Sequence, residues 1–382
     1  MWTDEYTQRS FLTLTAHHID DEFNLRTNVL GTREFTLGRK TAANIHDFVV
    51  EMLMEYKIEE KIKSSVIVTD NGANVTAAFR SYKRISCACH NLNLVMEDVL
   101  EKKKITELEV LIDASKRLVS FFKHSELNSR LTKSLKQHVK TRWNSLFVML
   151  SSIRDMYQEI QQLLIGRNEL HKIAAINFNL LEHLLQFLQY FKDCSEKLSS
   201  DVVPTIHEYG LWFEKLSKHC VENPADSEVI SELKNCRLSS LKSRFQPTTL
   251  HYVALFLNPP YKTLRFLSGE QREHIKETIK VMLDLDQHET ISNTTRQIGT
   301  TAGLTTTNLD EQPHSHRDPF DEFKDNYDDI ADSDLQVQEI DTELQIYLKK
   351  HVDVVSRCNV LEFWKKAVDL PLHRSLSRYI LK

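Results

Sequence analysis

Glycine and proline are scarce in this chain, with eight of each among 382 residues. A fold made largely of tight turns and short strands needs more of both, so the composition argues against an all-β or loop-rich architecture. No run of about 18 apolar residues occurs, which argues against a membrane span. The first residues do not join a basic stretch to an apolar one, so we expect no secretory leader. The length suits two or three structural units.

Cysteine is also infrequent, with six residues spread along the chain without the paired spacing of a zinc finger. In a chain without a leader, this pattern predicts reduced thiols in an intracellular compartment. Cys87 and His90 have the spacing of half a zinc site, but structural zinc needs four ligands and no second pair lies nearby in the sequence. We therefore expect no zinc. The alternative role of this pair is to brace the helix that follows it.

Charge is unevenly distributed, although the net charge is only −5. Residues 308–345 contain thirteen acidic side chains against two basic ones, whereas residues 102–142 contain eleven basic side chains against four acidic ones. The basic region, which includes Lys133, Lys136 and Lys140, suits contacts to nucleic-acid phosphates. The alternative interpretation, a solvated helix face, stays open because charged runs on helices are common.

Hydrophobic periodicity predicts an α/β region followed by helices. Strands are expected at 11–17, 23–35, 65–69 and 84–86, and helices at 42–56, 73–79 and 91–103. Thr41 suits the N-cap of the first helix. Leucine-rich stripes at helical spacing then predict packed helices.

The last third of the chain changes in character. Polar and acidic residues at 288–341 have little apolar surface to offset the entropy of ordering, which predicts a disordered loop. Apolar periodicity returns at 344–364. The predicted domains are therefore residues 1–104 (an α/β region), 105–287 (helical), 288–341 (disordered) and 342–382 (a C-terminal helical part).

Three motifs could carry chemistry. Asp70 ends the predicted strand in Val-Ile-Val-Thr-Asp-Asn-Gly at 66–72, where a carboxylate could bind a divalent metal ion. The alternative is an Asx turn with the following amides. Glu362 taken alone would be an ordinary exposed residue of a predicted helix, but the neighbouring Leu361, Phe363 and Trp364 would pack that helix and fix the direction of its carboxylate. Trp143 could stack on a base while Arg142 holds a phosphate, or it could be a core tryptophan.

Taken in order, the blocks at 66–74, 87–94, 141–145 and 361–365 resemble the transposase core of the hAT superfamily. The resemblance implies an α/β fold with an RNase H-like core and a large all-α insertion. It also implies DNA cleavage by an Asp-Asp-Glu triad that needs Mg²⁺ or Mn²⁺.

The same resemblance assigns roles to individual residues. Asp70 and Glu362 would be the second and third catalytic carboxylates and metal ligands. His90 would lie near the active site and contact DNA, and Trp143 would stack on a displaced base.

The chain also departs from the family pattern. Trp-Thr-Asp at 2–4 resembles the block that begins just after the family's first catalytic Asp, so we expect the first core strand and that carboxylate to be missing. Phe-Leu-Asn-Pro-Pro-Tyr-Lys at 256–262 has Asn and Pro where the family has Asp and Arg. We expect the BED-type zinc finger to be absent and the C-terminal dimerisation segment to be truncated. Whether the chain forms a homo-oligomer therefore stays open.

These observations predict a transposase-derived nuclear protein that no longer cleaves DNA and binds it weakly, in a salt-dependent manner. One alternative is a non-catalytic nuclear module that binds DNA or a protein partner and acts in regulation. Another is a truncated transposase fragment without function. A sheet without its first strand would expose strand edges, so we also expect marginal stability or aggregation.

Overall fold

The computed structural model describes residues 1–4, 6–98, 105–139, 143–293, 318–325, 342–350 and 359–381. These residues form a mixed α/β structure with mostly helices and two small sheets. They divide into two compact units. Unit 1 comprises residues 1–16, 28–200 and 212–246, and unit 2 comprises residues 17–27, 201–211 and 247–382. None of the described helices is both long and apolar enough to cross a membrane.

Five strands among the described residues form the two sheets. The first sheet has the order β1-β2-β3, and β1 pairs antiparallel with β2 so that Trp2 lies opposite Phe11. The second sheet pairs β4 and β5 in parallel, with Thr69 opposite Ser86. Parallel strands place their carboxyl ends at the same edge, so residues that follow β4 and β5 meet there. The strands are β1 (Trp2–Thr3), β2 (Ser10–Ile19), β3 (Leu25–Glu34), β4 (Ile67–Thr69) and β5 (Arg84–Ser86).

The α/β part of unit 1 packs its strands against helix α1 (Ala42–Met54). Thr41 caps this helix, because its side chain accepts a hydrogen bond from the Asn44 amide at 3.3 Å, and this confirms the predicted N-cap. The core there contains Leu12, Phe35, Ile45, Phe48, Val49, Met52, Leu53, Ile62, Ala78 and Phe79. Two shorter helices follow, α2 (Ala73–Ala78) and α3 (Ala88–Glu97).

The leucine stripes predicted from the sequence are core residues. Leu108 and Leu111 are buried on the helix at Thr106–Lys123. Leu150 and Ile153 are buried on the helix at Trp143–Asp155, and Leu184 on the helix at Phe178–Leu198. Burial of these stripes is what drives the amphipathic helices to pack. The helices are α4 (Thr106–Lys123), α5 (Trp143–Asp155), α6 (Tyr157–Ile165), α7 (Phe178–Leu198), α8 (Glu208–His219) and α9 (Glu228–Arg244).

The described elements of unit 2 are helices, apart from the tip of the β2–β3 hairpin, residues 17–27. Its largest buried side chains include Phe256, Tyr347 and Trp364. Its helices are α10 (Thr249–Phe256), α11 (Gly269–Asn293), α12 (Thr342–Lys349), α13 (Val360–Lys366) and α14 (Pro371–Ile380).

The segment predicted to be disordered, residues 288–341, is partly ordered. Helix α11 continues to Asn293, and residues 318–325 form a short turn within unit 2, with Phe320 and Phe323 buried. The Asp325 amide donates to the Pro260 carbonyl at 2.8 Å. The segment's average composition concealed two aromatic side chains, whose burial offsets the entropy of ordering a short turn. Its remaining residues lie outside the described part of the chain.

The predicted helix around Glu362 also differs from the structure. Apolar periodicity at 344–364 suggested one element, but α12 ends at Lys349 and α13 begins at Val360. The Asn359 side chain caps α13 by accepting from the Leu361 amide at 3.0 Å. This cap gives Glu362 a place in the first turn of a separate seven-residue helix.

Candidate functional site

Asp70 directly follows β4, at the carboxyl edge of the parallel pair, and its side chain is half-buried. Its Oδ1 accepts a hydrogen bond from the Gly72 amide at 3.0 Å, which is the Asx turn weighed as the alternative to a metal ligand. A Cβ at position 72 would lie 3.1 Å from that oxygen, so glycine lets the turn close tightly around the carboxylate. The turn holds the carboxylate at the strand end.

A polar network surrounds the carboxyl edge of β4 and β5. The Arg84 guanidinium donates to the Thr69 hydroxyl at 2.8 Å and to the Asp70 carbonyl at 3.2 Å. Ser86 donates its hydroxyl proton to the Asn71 side-chain oxygen at 2.6 Å. Sequence reasoning missed Arg84 and Ser86, although their position in the neighbouring parallel strand was a usable signal. The network stabilises the backbone on both sides of Asp70.

Helix α3 begins immediately beyond this edge. The Cys87 amide donates to the Thr69 carbonyl at 2.7 Å, which extends the β4–β5 ladder by one bond. Asn71 donates from its side-chain nitrogen to the Asn91 side-chain oxygen at 2.7 Å, so the first turn of α3 joins the polar network. His90 lies half-buried in that same turn. The expected proximity of His90 to Asp70 thus remains a prediction from the resemblance, with Asn71 and Asn91 as the observed link between their two segments.

The far end of α3 is anchored by helix α9. The buried Arg237 guanidinium donates to the Val95 carbonyl at 2.7 Å, and Arg244 pairs with Asp98. Burial lowers the pKa of Arg237 to about 9, so it is still charged at neutral pH. Both arginines satisfy groups at the C-terminal end of a helix, where a cation is favourable.

Trp143 is the first residue of α5, and only 7% of it is exposed. Its backbone amide donates to the Asn93 side-chain oxygen at 3.3 Å. This burial matches the alternative interpretation, a core tryptophan, and stacking on a base would require the side chain to leave the core. The neighbouring Arg142, which was predicted to hold a phosphate, lies outside the described residues.

Lys133 and Lys136 are exposed on the extended segment that precedes α5. Leu131 and Leu135 are buried on the same segment, so the lysines project outward from an anchored backbone. The Lys136 amide donates to the Ser152 hydroxyl at 3.0 Å. The third predicted lysine, at position 140, lies outside the part of the chain that the structure describes.

Glu362 is exposed, and its carboxylate accepts a hydrogen bond from Lys366 at 2.7 Å. This contact lowers the pKa of Glu362. Leu361 and Trp364 are buried on the other face of α13, as the sequence suggested. Asp70 belongs to unit 1 and Glu362 to unit 2. Within the described ranges, no cluster of three or more His, Cys, Asp or Glu side chains could hold a metal ion.

The segment at 256–262 forms hydrogen bonds to α12 and to α13, the helix that carries Glu362. Trp364 donates its indole proton to the Leu257 carbonyl at 2.7 Å, and Tyr347 donates its hydroxyl proton to the Phe256 carbonyl at 2.8 Å. Lys262 is buried and donates to the Tyr347 carbonyl at 2.8 Å. Burial lowers the pKa of Lys262 to about 8. The motif at 256–262 therefore supports α12 and α13 through backbone carbonyls and one lysine.

Helix α14 and the tip of the β2–β3 hairpin also make contacts with each other and with α12 and α13. Glu343 accepts hydrogen bonds from the Leu372 and His373 amides at 3.2 and 2.8 Å, which caps α14. The tip contributes Phe23, whose ring lies 4.9 Å from the Arg374 guanidinium carbon. Lys365, on α13, pairs at 3.2 Å with Glu22, which also belongs to the tip.

Two family models match the first half of the chain. The ZBED1 RNase-like domain matches residues 1–97, and the ZBED1 RNase-like helical domain matches residues 85–199. The boundary between the models falls in the region of β5 and α3.

Named transposases are among the relatives. The Hobo transposase of Drosophila melanogaster is 29% identical over 68% of this chain and 40% of its own length. A Zea mays protein named an AC transposase is 22% identical over the whole of this chain and 51% of its own length. A Talaromyces stipitatus protein named transcriptional regulator tpeD is 24% identical over 57% of this chain and 31% of its own length. The chain thus spans about half the length or less of these relatives.

The matched domains and the named transposases agree with the order of the motifs along the chain. The chain belongs to the hAT-type transposases and the proteins derived from them.

Proposed function

We propose that this chain is a nuclear DNA-binding protein of the hAT transposase type that holds DNA without cutting it. Its RNase H-like core comprises residues 1–104 and 342–382, with residues 105–287 as an all-α insertion. Parallel strands β4 and β5, followed by α3, support the core assignment, because this strand–helix order places Asp70 at a carboxyl edge. The helices from α4 onward support the insertion.

The observation that carries DNA binding is the anchored basic segment before α5. Lys133 and Lys136 project from a backbone that Leu131 and Leu135 tie to the core. Cations on a fixed backbone lose less conformational entropy on meeting a phosphate than cations on a free loop. Lys140 and Arg142 continue the same run of basic residues in the sequence.

Salt dependence tests this proposal. Binding of a fluorescent 30-base-pair duplex, followed by anisotropy, should weaken as salt rises, because released counterions drive the association. Reversal of two lysines, K133E with K136E, should reduce the slope of log affinity against log salt by about 2. The matched control is K57E with K61E, which changes the charge equally at exposed positions of unit 1. Equal effects of the two double variants would contradict a specific contact surface.

Asp70 and Glu362 are the proposed ligands of Mg²⁺ or Mn²⁺. Carboxylate oxygens suit these hard cations, and the Asx turn directs the Asp70 carboxylate at a strand end. When bound, such an ion supplies Lewis-acid activation of a phosphoryl oxygen. The polar network of Arg84 and Asn71 would keep the segment rigid while Asp70 binds.

The absence of cleavage is part of the proposal. Asp4, an acidic residue in the first strand–turn region, accepts the Thr7 amide at 3.1 Å and so serves a turn. Glu362 is exposed and ion-paired with Lys366. We therefore expect no nicking or hairpin formation with supercoiled or transposon-end DNA in Mg²⁺ or Mn²⁺. Cleavage that is lost in D70A but kept in E97A, a half-buried carboxylate on α3, would overturn this part.

A second candidate function is that of a regulatory module, and the relative named as a transcriptional regulator favours it. This function needs binding but no metal chemistry. It predicts that D70A and E362A leave duplex affinity unchanged while K133E with K136E lowers it. A requirement of Asp70 for binding in the presence of Mg²⁺ would favour the metal-dependent core instead.

A further inference from the structure

Residues 318–325, here called the acidic segment, form a short turn in unit 2. In the sequence they lie between α11 and α12, and they contain four acidic side chains and one lysine. Within the segment, only Phe320, Phe323 and Asp325 are buried. Two aromatic rings and one carboxylate therefore point inward from a turn that is otherwise charged and solvated.

The acidic segment determines its own shape. The Asp318 carboxylate accepts a hydrogen bond from the Phe320 amide at 3.0 Å, and the Phe323 amide donates to the Phe320 carbonyl at 2.9 Å. The Lys324 ammonium pairs with Asp318 at 2.8 Å and with Asp321 at 2.7 Å. Side chains three positions apart on a 3₁₀ turn lie on the same side, which explains why both rings face inward. Since these contacts are internal, a peptide of this sequence loses less conformational entropy on binding.

Residues 260–266, here called the docking segment, receive the buried carboxylate. Asp325 accepts hydrogen bonds from the Thr263 amide at 3.1 Å and from the Thr263 hydroxyl. The Asp325 amide donates in turn to the Pro260 carbonyl at 2.8 Å. A buried carboxylate is costly unless it is hydrogen-bonded, so the docking segment discriminates in favour of an acidic side chain at this position.

The docking segment also contacts the aromatic part of the acidic segment. The Phe266 ring meets the Phe323 ring edge to face, with 5.5 Å between the ring centroids. The Arg265 guanidinium donates to the Glu322 carbonyl at 3.0 Å. The contacts thus combine hydrogen bonds to the main chain with side-chain contacts that fix the sequence, which is how proteins recognise short peptides.

We propose that the docking segment is a peptide-recognition site for an acidic peptide with two phenylalanines three positions apart and an aspartate two positions after the second. The acidic segment is its resident ligand, which leaves and returns while the rest of unit 2 stays folded. A peptide of the same pattern from another protein competes for the site. This role needs neither DNA nor a metal ion, so it is independent of the proposed function.

Peptide binding to a full-length chain whose site has been vacated tests the proposal. In F320S with F323S the acidic segment should leave the site, and a fluorescent peptide of residues 318–325 should bind, as followed by anisotropy. The unmodified chain should bind this peptide about 100-fold more weakly, because its own tethered segment occupies the site. A scrambled peptide should bind neither chain. Equal affinity for both chains, or no binding to a folded F320S with F323S chain, would overturn the proposal.

A pair of threonine variants locates the bound peptide. Added to F320S with F323S, Thr263→Val removes the hydroxyl that donates to Asp325 and should weaken peptide binding by about tenfold or more. The matched control is Thr278→Val on α11, where the hydroxyl donates to the His274 carbonyl at 2.8 Å and the peptide affinity should not change. Equal effects of the two changes would place the peptide elsewhere and contradict the assignment.

Hydrogen exchange of the unmodified chain gives an answer even if F320S with F323S folds poorly. The Asp325 amide should exchange about 100-fold faster than the Phe256 amide of α10, because local opening frees the first and only opening of a helix in the core frees the second. Excess peptide of residues 318–325 should speed exchange at Asp325 further, since it holds the vacated site, whereas the scrambled peptide should not. Exchange at Asp325 as slow as at Phe256, without a response to the peptide, would show that the acidic segment is a fixed part of unit 2.

Discussion

The two candidate carboxylates are held in opposite ways. Asp70, in unit 1, is fixed by local hydrogen bonds: Gly72 binds its side chain and Arg84 binds its carbonyl. Glu362, in unit 2, pairs with the exposed Lys366, and its direction is set by burial of Trp364 on the other face of a short helix. Local hydrogen bonds make a position robust to distant change, whereas a packed helix transmits any loss in its core to every residue that it carries.

The largest effect on stability is expected from a change in the buried face of α13, the helix that carries Glu362. Trp364→Ala removes a fully buried indole and leaves the Leu257 carbonyl without its donor. We expect a loss of about 3–5 kcal/mol in the free energy of unfolding, measured by urea denaturation. The control is Val368→Ala, at a side chain that is 71% exposed, which should change stability by less than about 0.5 kcal/mol. Equal effects would mean that α13 does not depend on its buried face.

Acid should also affect unit 2, through two buried histidines. Burial lowers the pKa values of His207 and His251 to about 4, below the ordinary 6.5. Between pH 6.5 and 4 the unfolded chain therefore binds more protons than the folded one, so stability is full above pH 6.5 and falls as pH drops toward 4. The loss is at most roughly 3 kcal/mol per histidine.

A variant isolates the contribution of one of these histidines. His251 accepts the Thr248 amide at 3.0 Å through Nδ1, which a proton would block. Glutamine at this position can keep the capping box without titrating. H251Q should therefore flatten the decline in urea midpoint between pH 6.5 and 4, and an unchanged decline would contradict the assignment.

A smaller effect on stability is expected at Asp70, where substitutions test the local hydrogen bond between its carboxylate and the Gly72 amide. Asp70→Asn keeps an oxygen that can accept the Gly72 amide, so stability should stay within about 0.5 kcal/mol. Asp70→Ala removes the acceptor and should cost about 1 kcal/mol. Both variants remove the proposed metal ligand, so any metal-dependent property should be lost in both, whereas thermal unfolding should separate them. Equal melting temperatures would show that the turn contributes little.

The smallest effect is expected for Glu362→Gln, which breaks the exposed pair with Lys366. Exposed pairs four residues apart on a helix contribute about 0.3–0.5 kcal/mol, and salt screens them. The melting temperature should therefore hardly change, and less still in high salt. A loss comparable to that of Trp364→Ala would show that Glu362 takes part in the packing of α13 rather than projecting from it.

Local patterns in the sequence determined much of unit 1. The alternation of β2, the Thr41 cap, the leucine stripes and the strand at 84–86 each depend on neighbours within a few residues, so their structural role was readable from spacing. The order of the motifs was also sufficient to indicate the transposase type. The Asx turn at Asp70 was foreseen as one of two alternatives for the same reason: both partners lie within three positions.

Tertiary structure decided what depends on distant partners. The burial of Trp143, the ordered turn at 318–325 and the buried Lys262 all follow from contacts with residues far along the chain. Periodicity identifies which residues will be buried but not what will cover them. A hydrogen bond such as that between Trp364 and the Leu257 carbonyl joins residues 107 positions apart, and only the folded chain brings such groups within reach.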